Sequence, residues 1–217
     1  VVNLEWEEQK KKYAKMACEF IKQTEALKFG EFTLTSGKKS PFYIDMRLFI
    51  SYPDIFNKLS DIYVEVIKNE ILEVDCIAGI PTAGLPIATL ISYKLRLPLI
   101  YVRKEPKAHG KAKMIEGLLT PNDNVVLVDD LVTSGSSLLN AARAIRESGG
   151  VVNHAVVLLD REQGGRENLQ KEKIELHTVI SMSQLLDTFR DLGYINHSNY
   201  NLAKEYLKRE KIHSSTK

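Results

Sequence analysis

One run of thirteen residues, Val125–Ser137, constrains the fold of this chain more than any other segment. It starts with apolar β-forming residues, continues into two adjacent carboxylates, Asp129 and Asp130, and ends in a hydroxyl-rich turn. A helical pattern of apolar residues follows from Leu138. An apolar run bounded by turn residues is typical of a buried strand, and open α/β sheets bind ligands outside the carboxyl ends of their strands. The run therefore predicts an α/β fold with a ligand site at the acid pair.

The turn after the acid pair suits a phosphate group. Main-chain N–H groups at a helix start point at an anion, and the helix dipole attracts it. Gly135 lets the backbone curl closely around such a ligand, and the neighbouring serine and threonine hydroxyls add donors. The two carboxylates suit ribose hydroxyls or a magnesium-bound sugar. The alternative is a buried strand with an Asp–Asp turn and a Ser/Thr helix cap.

The run resembles the phosphoribosyl-pyrophosphate (PRPP) binding motif of the type I phosphoribosyltransferases, and it is neither a Walker loop nor a Rossmann fingerprint. The resemblance implies an α/β fold with a parallel sheet flanked by helices and a small N-terminal hood. It implies that Asp129 and Asp130 hold the ribose hydroxyls, directly or through Mg²⁺. The residues implied to cradle the 5′-phosphate are Leu131, Val132, Thr133, Ser134, Gly135, Ser136 and Ser137.

The remaining pattern alternates strands with helices, which predicts βαβ units and a parallel sheet. An amphipathic helix is predicted over residues 5–28, followed by two short strands, Phe32–Thr35 and Phe42–Asp45. The further predicted strands are Asp75–Ile80, Pro98–Val102, the acid-pair strand, Val151–Leu159 and 174–180, and the further helices are Asp54–Asn69, Gly84–Lys94, one behind Ser137, 183–191 and 199–210. With 217 residues, we expect one domain over 1–217, with a hood over approximately 1–50 and a core over approximately 51–217.

Composition excludes several classes of protein. The chain is 44% hydrophobic and 27% charged, as globular proteins are, and its formal charge of +2 gives no reason to expect nucleic acid or a membrane surface as a partner. No apolar run reaches the ~18 residues of a membrane span. The two cysteines, Cys18 and Cys76, have no disulfide-framework spacing, so we expect a cytoplasmic protein.

Residues 103–117 are polar, contain glycine and show no period, which predicts a mobile loop. Its first seven residues include four that can carry positive charge, Arg103, Lys104, Lys107 and His109. Phosphoribosyl transfer develops a cation-like ribose while pyrophosphate departs, so a basic loop that closes would stabilise the leaving group and exclude water. A solvated basic surface is the alternative for such a segment.

Two segments narrow the resemblance to the orotate phosphoribosyltransferases. Arg103–Gly110 resembles that family's loop R-K-x-x-K-x-H-G, and Phe29–Asp45 resembles its N-terminal segment F-G-x-F-x-L-x-S-G-x-x-S-P. The resemblance implies transfer of the phosphoribosyl group from PRPP to orotate in pyrimidine biosynthesis. It implies no dedicated protein metal site, because Mg²⁺ is bound mainly through PRPP or pyrophosphate. It also implies a homodimer with shared active sites, since the family's loop reaches the neighbouring subunit.

The same resemblance assigns roles within the site. Tyr43 and Ile44 would touch the pyrimidine, Thr133 would lie between turn and base, and Arg161 would pair with the orotate carboxylate. Plain hood packing for Tyr43 and a surface position for Arg161 are the alternatives. The residues implied to act in catalysis are Lys107, with the largest rate effect, Asp129, Asp130, Arg103 and His109, and Lys104 joins them in binding PRPP.

Gly79–Gly84 resembles the family's pyrophosphate loop, which implies PRPP contacts from Thr82 and Ala83. The sequence departs from the bacterial pattern at Ala83 and at Thr35, where lysines are common. Without these two lysines, the chain would bind diphosphate more weakly, or it would bind diphosphate through Lys38, Lys39 and the main chain.

Two other functions fit parts of the sequence. A purine phosphoribosyltransferase would share the PRPP motif, but Arg161 and the hood segment argue against it. A PRPP-sensing regulator would share the fold without the chemistry. Such regulators usually carry a nucleic-acid module, and residues 1–28 contain no recognisable helix-turn-helix.

Overall fold

A six-stranded sheet forms the centre of the computed structural model, which describes residues 4–33, 37–103 and 114–215, without the side chains beyond residue 211. In sheet order the strands are β5 (Ile115–Glu116), β4 (Leu99–Val102), β3 (Cys76–Gly79), β6 (Asn124–Val132), β7 (Val151–Asp160) and β8 (Glu175–Ser181). All neighbouring pairs are parallel except β4 and β5. The predicted α/β sheet is confirmed, with one short antiparallel edge strand added.

Helices cover both faces of this sheet. They are α1 (Leu4–Gln23), α2 (Pro53–Glu70), α3 (Gly84–Leu95), α4 (Ser136–Glu147), α5 (Gly165–Lys171), α6 (Met182–Asp191) and α7 (His197–Ser215). Alternate residues of β6 enter different apolar clusters: Val126 and Val128 face one, whereas Val125 and Leu127 face the other. Because side chains alternate along a strand, two clusters on one strand mean that the sheet is buried on both faces.

A two-stranded antiparallel sheet of β1 (Leu27–Thr33) and β2 (Lys39–Ile44) forms the hood. Helix α7 packs against it: the rings of Phe42 and Tyr206 meet edge to face at 5.6 Å, and Lys38 Nζ lies 3.0 Å from Glu210 Oε1. The C-terminal helix therefore holds the hood over the carboxyl ends of the central strands.

The N-terminal prediction was wrong at the helix end. The helix predicted over residues 5–28 ends at Gln23, and β1 begins at Leu27 rather than at Phe32. Glu25 adopts a left-handed conformation with φ 52°, which ends the helical run. Leu27 continues the apolar spacing of the helix, so periodicity alone could not show the break.

Other segments also differ from the sequence prediction: β2 begins at Lys39 rather than at Phe42, and a short 3-10 helix over Met46–Ser51 was not predicted. The segment 103–117 was predicted without regular structure, yet Ile115–Glu116 pairs with β4. Helix α5 was not predicted, because seven residues give too little periodicity. The strand of the acid pair continues to Val132, so both carboxylates lie within the strand. No helix in the described ranges is both long enough and apolar enough to cross a membrane.

Candidate active site

The acid pair lies near the carboxyl end of β6, the central strand of the sheet. The Asp130 N–H donates to Asp129 Oδ1 at 2.9 Å, and the Leu131 N–H donates to Asp130 Oδ1 at 2.8 Å. Burial, and then the neighbouring charge of Asp130, raise the pKa of Asp129 to about 9. Burial also raises the pKa of Asp130. Two half-buried carboxylates that repel each other make a favourable site for a cation or for hydroxyl donors.

Tyr63 supports the acid pair from below. Its side chain is fully buried on α2, and its hydroxyl donates to the main-chain oxygen of Asp129 at 2.8 Å. The sequence analysis missed this residue because Tyr63 continues the apolar face of α2 and carries no motif of its own.

A cavity of about 200 Å³ lies beside the acid pair and is lined by residues 129–138. Gly135, with φ 78°, precedes the first residue of α4, and a Cβ there would lie 3.3 Å from the Gly165 oxygen. The Ser134 and Ser136 hydroxyls approach each other at 3.3 Å on the rim. Since the first turn of α4 contains no acidic residue, its dipole is available to an anion. The residues predicted to cradle a phosphate thus form one concave turn.

The loop that carries Thr82 and Ala83 packs directly against the acid-pair strand. The Ile80 N–H donates to the Val128 oxygen at 3.0 Å, and a Cβ on Gly84 would lie 2.4 Å from that oxygen. Only glycine fits at this contact, since real Cβ atoms do not approach so closely. The structure therefore brings the predicted diphosphate loop next to Asp129 and leaves Thr82 exposed to a ligand.

Arg161 follows β7, and its partly buried side chain turns towards the hood. Its guanidinium carbon lies 5.7 Å from the centre of the Phe42 ring in the hood. Its main-chain N–H donates to the Val132 oxygen at 3.0 Å, which joins it to the phosphate turn. Burial lowers the pKa of Arg161, and the nearby Tyr206 and Glu210 offset part of that effect.

Two buried polar atoms at this place have no hydrogen-bond partner among the described residues: Arg161 Nε and the Tyr206 hydroxyl. A buried donor without a partner costs about 1–3 kcal/mol, and more when it is charged. Arg161 and Tyr206 both flank Phe42. The free-energy cost of the two unpartnered atoms is therefore concentrated at one place between the hood, β7 and α7. Tyr206 was missed by the sequence analysis, since a tyrosine in a C-terminal amphipathic helix carries no sign of a site.

The hood residues divide between surface and core. Tyr43 is 38% exposed, whereas Ile44 is buried, as alternation along β2 requires. Arg47 binds both oxygens of Asp45, at 2.7 and 2.8 Å, and its third contact is the Tyr43 hydroxyl at 3.2 Å. Asp45 is close enough to Asp130 to contribute to the raised pKa of that carboxyl. The sequence analysis missed Arg47, although it places a cation beside the acid pair.

The basic loop is described only at its edges. Arg103 forms an ion pair with Glu116 of β5 at 2.9 Å, and its main-chain N–H donates to Met114. Arg103 follows β4, which lies two strands away from β6 in the sheet. Lys104, Lys107 and His109 lie outside the described residues, as does Thr35.

Comparisons with known proteins agree with this geometry. Residues 52–184 match the family of the phosphoribosyl transferase domain. An orotate phosphoribosyltransferase of Staphylothermus marinus is 42% identical over 85% of this chain and 89% of its own length. The crystal structure of orotate phosphoribosyltransferase from Aeropyrum pernix superposes with a TM-score of 0.73 at 32% identity, covering 82% of this chain and 99% of that one.

A longer protein contains a similar unit. The structure of the Leishmania donovani UMP synthase superposes with a TM-score of 0.80 at 34% identity, over 90% of this chain and 42% of that one. The matches to the enzymes of Staphylothermus marinus and Aeropyrum pernix, in contrast, extend over nearly the full length of those chains. This chain therefore belongs to the orotate phosphoribosyltransferase family.

Proposed function

We propose that the cleft between Asp129, the phosphate turn and Arg161 binds PRPP and orotate and joins them to orotidine 5′-monophosphate, with release of pyrophosphate. The observation that carries this reading is the buried, unpartnered Nε of Arg161 beside Phe42. A planar guanidinium suits bidentate recognition of a carboxylate, and orotate, unlike a purine base, carries one. The orotate carboxylate would satisfy the donor that the protein leaves unpaired.

Tyr206 extends the same argument to the C-terminal helix. Its hydroxyl is buried and unpartnered among the described residues, and it flanks Phe42 as Arg161 does. We assign it as a second polar contact of the base, with Thr133 on the side of the phosphate turn. Tyr43 and Ile44 complete the hood side of the base site, where Tyr43 offers an exposed ring for stacking.

On the PRPP side, the acid pair would bind the ribose hydroxyls, directly or through Mg²⁺, and residues 131–137 would bind the 5′-phosphate. Burial is the main cause of the raised pKa values of both carboxyls, and a divalent cation would offset it by stabilising their charged forms. Mg²⁺, bound mainly through PRPP, would add positive charge against the departing pyrophosphate. The residues assigned to the diphosphate are Thr82, Ala83, Arg103, Lys104, Lys107 and His109.

Arg47 offers a cation for the side of the site where Thr35 and Ala83 replace the bacterial lysines. It already binds Asp45 and Tyr43 beside Asp130. Arg103 forms an ion pair with Glu116, so it would have to exchange that carboxylate for pyrophosphate when the loop closes.

The proposal also covers domain organisation, oligomeric state, cellular location and partners. We propose that residues 1–217 act as one domain and form a homodimer in which the loop of one subunit reaches the site of the other. We place the protein in the cytoplasm, which suits its two free, buried cysteines. Small molecules are the expected ligands, with neither nucleic acid nor a membrane as a partner.

The test is the loss of orotate ultraviolet absorbance when the chain is mixed with orotate, PRPP and Mg²⁺, beside parallel reactions with hypoxanthine and adenine. Turnover of orotate alone, abolished by EDTA and restored by Mg²⁺, is the expected result. Turnover of a purine base would overturn the assignment of Arg161. PRPP binding without turnover of any base would leave the regulator as the better account.

A further inference from the structure

A second polar cluster lies at the opposite end of the sheet from the acid pair. It consists of His154 on β7 and Glu175 and His177 on β8, with Glu70 from the end of α2. A cavity of about 370 Å³ reaches it and is lined by the first residues of β6, β7 and β8. None of these side chains takes part in the site described above.

The strand register places the three side chains of β7 and β8 on one face. His154 lies opposite Glu175, and Val156 lies opposite His177. Because every second side chain of a strand points to the same face, His154, Glu175 and His177 share one face of the parallel pair. One nitrogen or oxygen atom from each of the three lies within 4.8 Å of the others. The His154 Nδ1 and His177 Nε2 atoms are 3.1 Å apart, and Glu175 Oε2 is 3.8 Å from His154 Nδ1.

Glu70 fixes the orientation of His177. Its Oε2 lies 2.6 Å from His177 Nδ1, while its Oε1 accepts hydrogen bonds from Lys10 and Trp6. The ion pair with Lys10 and the hydrogen bond from Trp6 fit an ionised Glu70 carboxylate. An ionised carboxylate only accepts hydrogen bonds, so His177 Nδ1 must carry the hydrogen. In the neutral imidazole of His177, Nε2 then carries a lone pair that faces His154.

We propose that His154 Nδ1, His177 Nε2 and a Glu175 carboxylate oxygen form a binding site for a divalent transition-metal ion of the zinc type, with Glu70 as the carboxylate that orients His177. Two imidazoles and one carboxylate are a known zinc donor set, and a histidine that ligates a metal usually donates its other N–H to a carboxylate. Tetrahedral ligands at about 2 Å from zinc lie roughly 3.3 Å apart, so the 3.1 Å spacing of the two nitrogens requires only a small opening.

The surroundings suit an ion that exchanges with solvent. Glu175 is largely exposed and His154 partly exposed, whereas His177 is buried. The cavity provides the entry path and room for a water as fourth ligand. Binding needs only a tautomer change in His154, whose hydrogen moves from Nδ1 to Nε2.

The test is a Co²⁺ titration of the full chain, stripped with EDTA, in excess Mg²⁺ to occupy oxygen sites at the acid pair. We expect one Co²⁺ per chain, with the strong visible absorption of a low-coordinate site and displacement by Zn²⁺. His154→Gln and Glu175→Gln should each weaken binding at least about tenfold, and Glu70→Gln should weaken it by about 10–100-fold. His197→Gln, at an exposed histidine, is the matched control and should bind as the wild type does.

Orotate turnover in Mg²⁺ should be unchanged in His154→Gln, which separates this site from the proposed active site. His177 is buried, so Co²⁺ binding by His177→Gln is informative only if the circular dichroism of that variant matches the wild type. If it does not match, Co²⁺ binding by Glu175→Gln, at an exposed position, is the deciding measurement. Absence of a tight Co²⁺ signal, or equal binding by His154→Gln and His197→Gln, would overturn the metal site. The cluster would then be a hydrogen-bonded relay that joins β7, β8 and α2.

Discussion

The guanidinium carbon of Arg161 lies 5.7 Å from the centre of the Phe42 ring, and the Nε of that guanidinium is buried without a partner among the described residues. A cation over an aromatic face is stabilised, but its N–H donor still lacks the hydrogen bond that water would supply. Arg161 thus offers a charged donor to an anion, in a position linked by one main-chain hydrogen bond to the phosphate turn.

Tyr206→Phe should weaken orotate binding and stabilise the free protein slightly. The substitution removes a buried hydroxyl that has no partner among the described residues, so the unbound fold loses no hydrogen bond there. If the hydroxyl contacts the base, KM for orotate rises by about 2–10-fold while KM for PRPP stays within twofold. Steady-state kinetics and a melting curve give both quantities. Unchanged kinetics would limit Tyr206 to packing against Phe42.

Asp129→Asn should abolish turnover and raise the Tm of the ligand-free protein. The folded pKa of Asp129, about 9, lies above the unfolded value, so the folded state binds a proton that the unfolded state has lost. Its contribution to the free energy of unfolding is therefore full at low pH and falls as pH rises from about 4 to about 9. The stabilisation by Asn should grow over the same range, with about 1 kcal/mol corresponding to ~2–4 °C.

Asp187→Asn is the matched control for that experiment. Burial raises the pKa of Asp187, but hydrogen bonds from Lys204 and Tyr200 outweigh it and lower the pKa. Its substitution should lower the Tm at neutral pH and leave turnover intact. A lower Tm for Asp129→Asn as well would refute the view that the acid pair is destabilising without ligand.

Gly84→Ala should reduce both stability and turnover. The new Cβ would lie 2.4 Å from the Val128 oxygen and 2.9 Å from the Asp129 Cα, so the diphosphate loop or the acid pair must move. Overpacking of this kind costs about 1–3 kcal/mol. Gly193→Ala is the comparison: it meets no atom within 4 Å, but its φ of 69° imposes a backbone cost of about 1–2 kcal/mol. We expect the two variants to have similar melting temperatures and only Gly84→Ala to lose turnover. Equal turnover in both variants would show that Gly84 does not shape the active site.

Lys107→Ala should retain the fold and reduce turnover by about two orders of magnitude, the scale for losing one charge-stabilising donor. Lys111→Ala, in the same basic segment, serves as the control and should retain most turnover. Fixed-time assays of orotate loss measure the difference in turnover between the two variants. Near-normal turnover of Lys107→Ala would remove its assigned role.

The proposal that the loop of one subunit reaches the site of the other can be tested with the Lys107→Ala variant. Mixed in equal amounts with Asp130→Asn, it should form heterodimers in which one site has an intact loop and an intact acid pair. Half of the dimers would be mixed, so roughly a quarter of wild-type activity should return after subunit exchange. Activity no higher than that of the separate variants would argue against a loop that crosses between subunits.

Much of the fold followed from local pattern. The apolar run before Asp129 predicted a buried strand, the hydroxyl turn predicted a helix start, and the structure has both, in β6 and α4. Tertiary partners decided the rest. Nothing in the sequence near Tyr206 shows that α7 folds back to Phe42, and nothing near Arg103 shows that it forms an ion pair with Glu116 on an unpredicted strand. Arg47 was missed because its role depends on Asp45 and on a neighbouring strand.

The most direct test of the account is the pair of KM values for orotate and PRPP in Arg161→Ala, with Arg143→Ala, at an exposed arginine of α4, as the control. Loss of a charge-assisted hydrogen bond is worth about 1.5–3 kcal/mol, so we predict that KM for orotate rises by roughly 10–100-fold. The KM for PRPP should stay within twofold, and both KM values should be unchanged in Arg143→Ala. An unchanged KM for orotate in Arg161→Ala would contradict the account, because the buried guanidinium would then not be the group that reads the carboxylate.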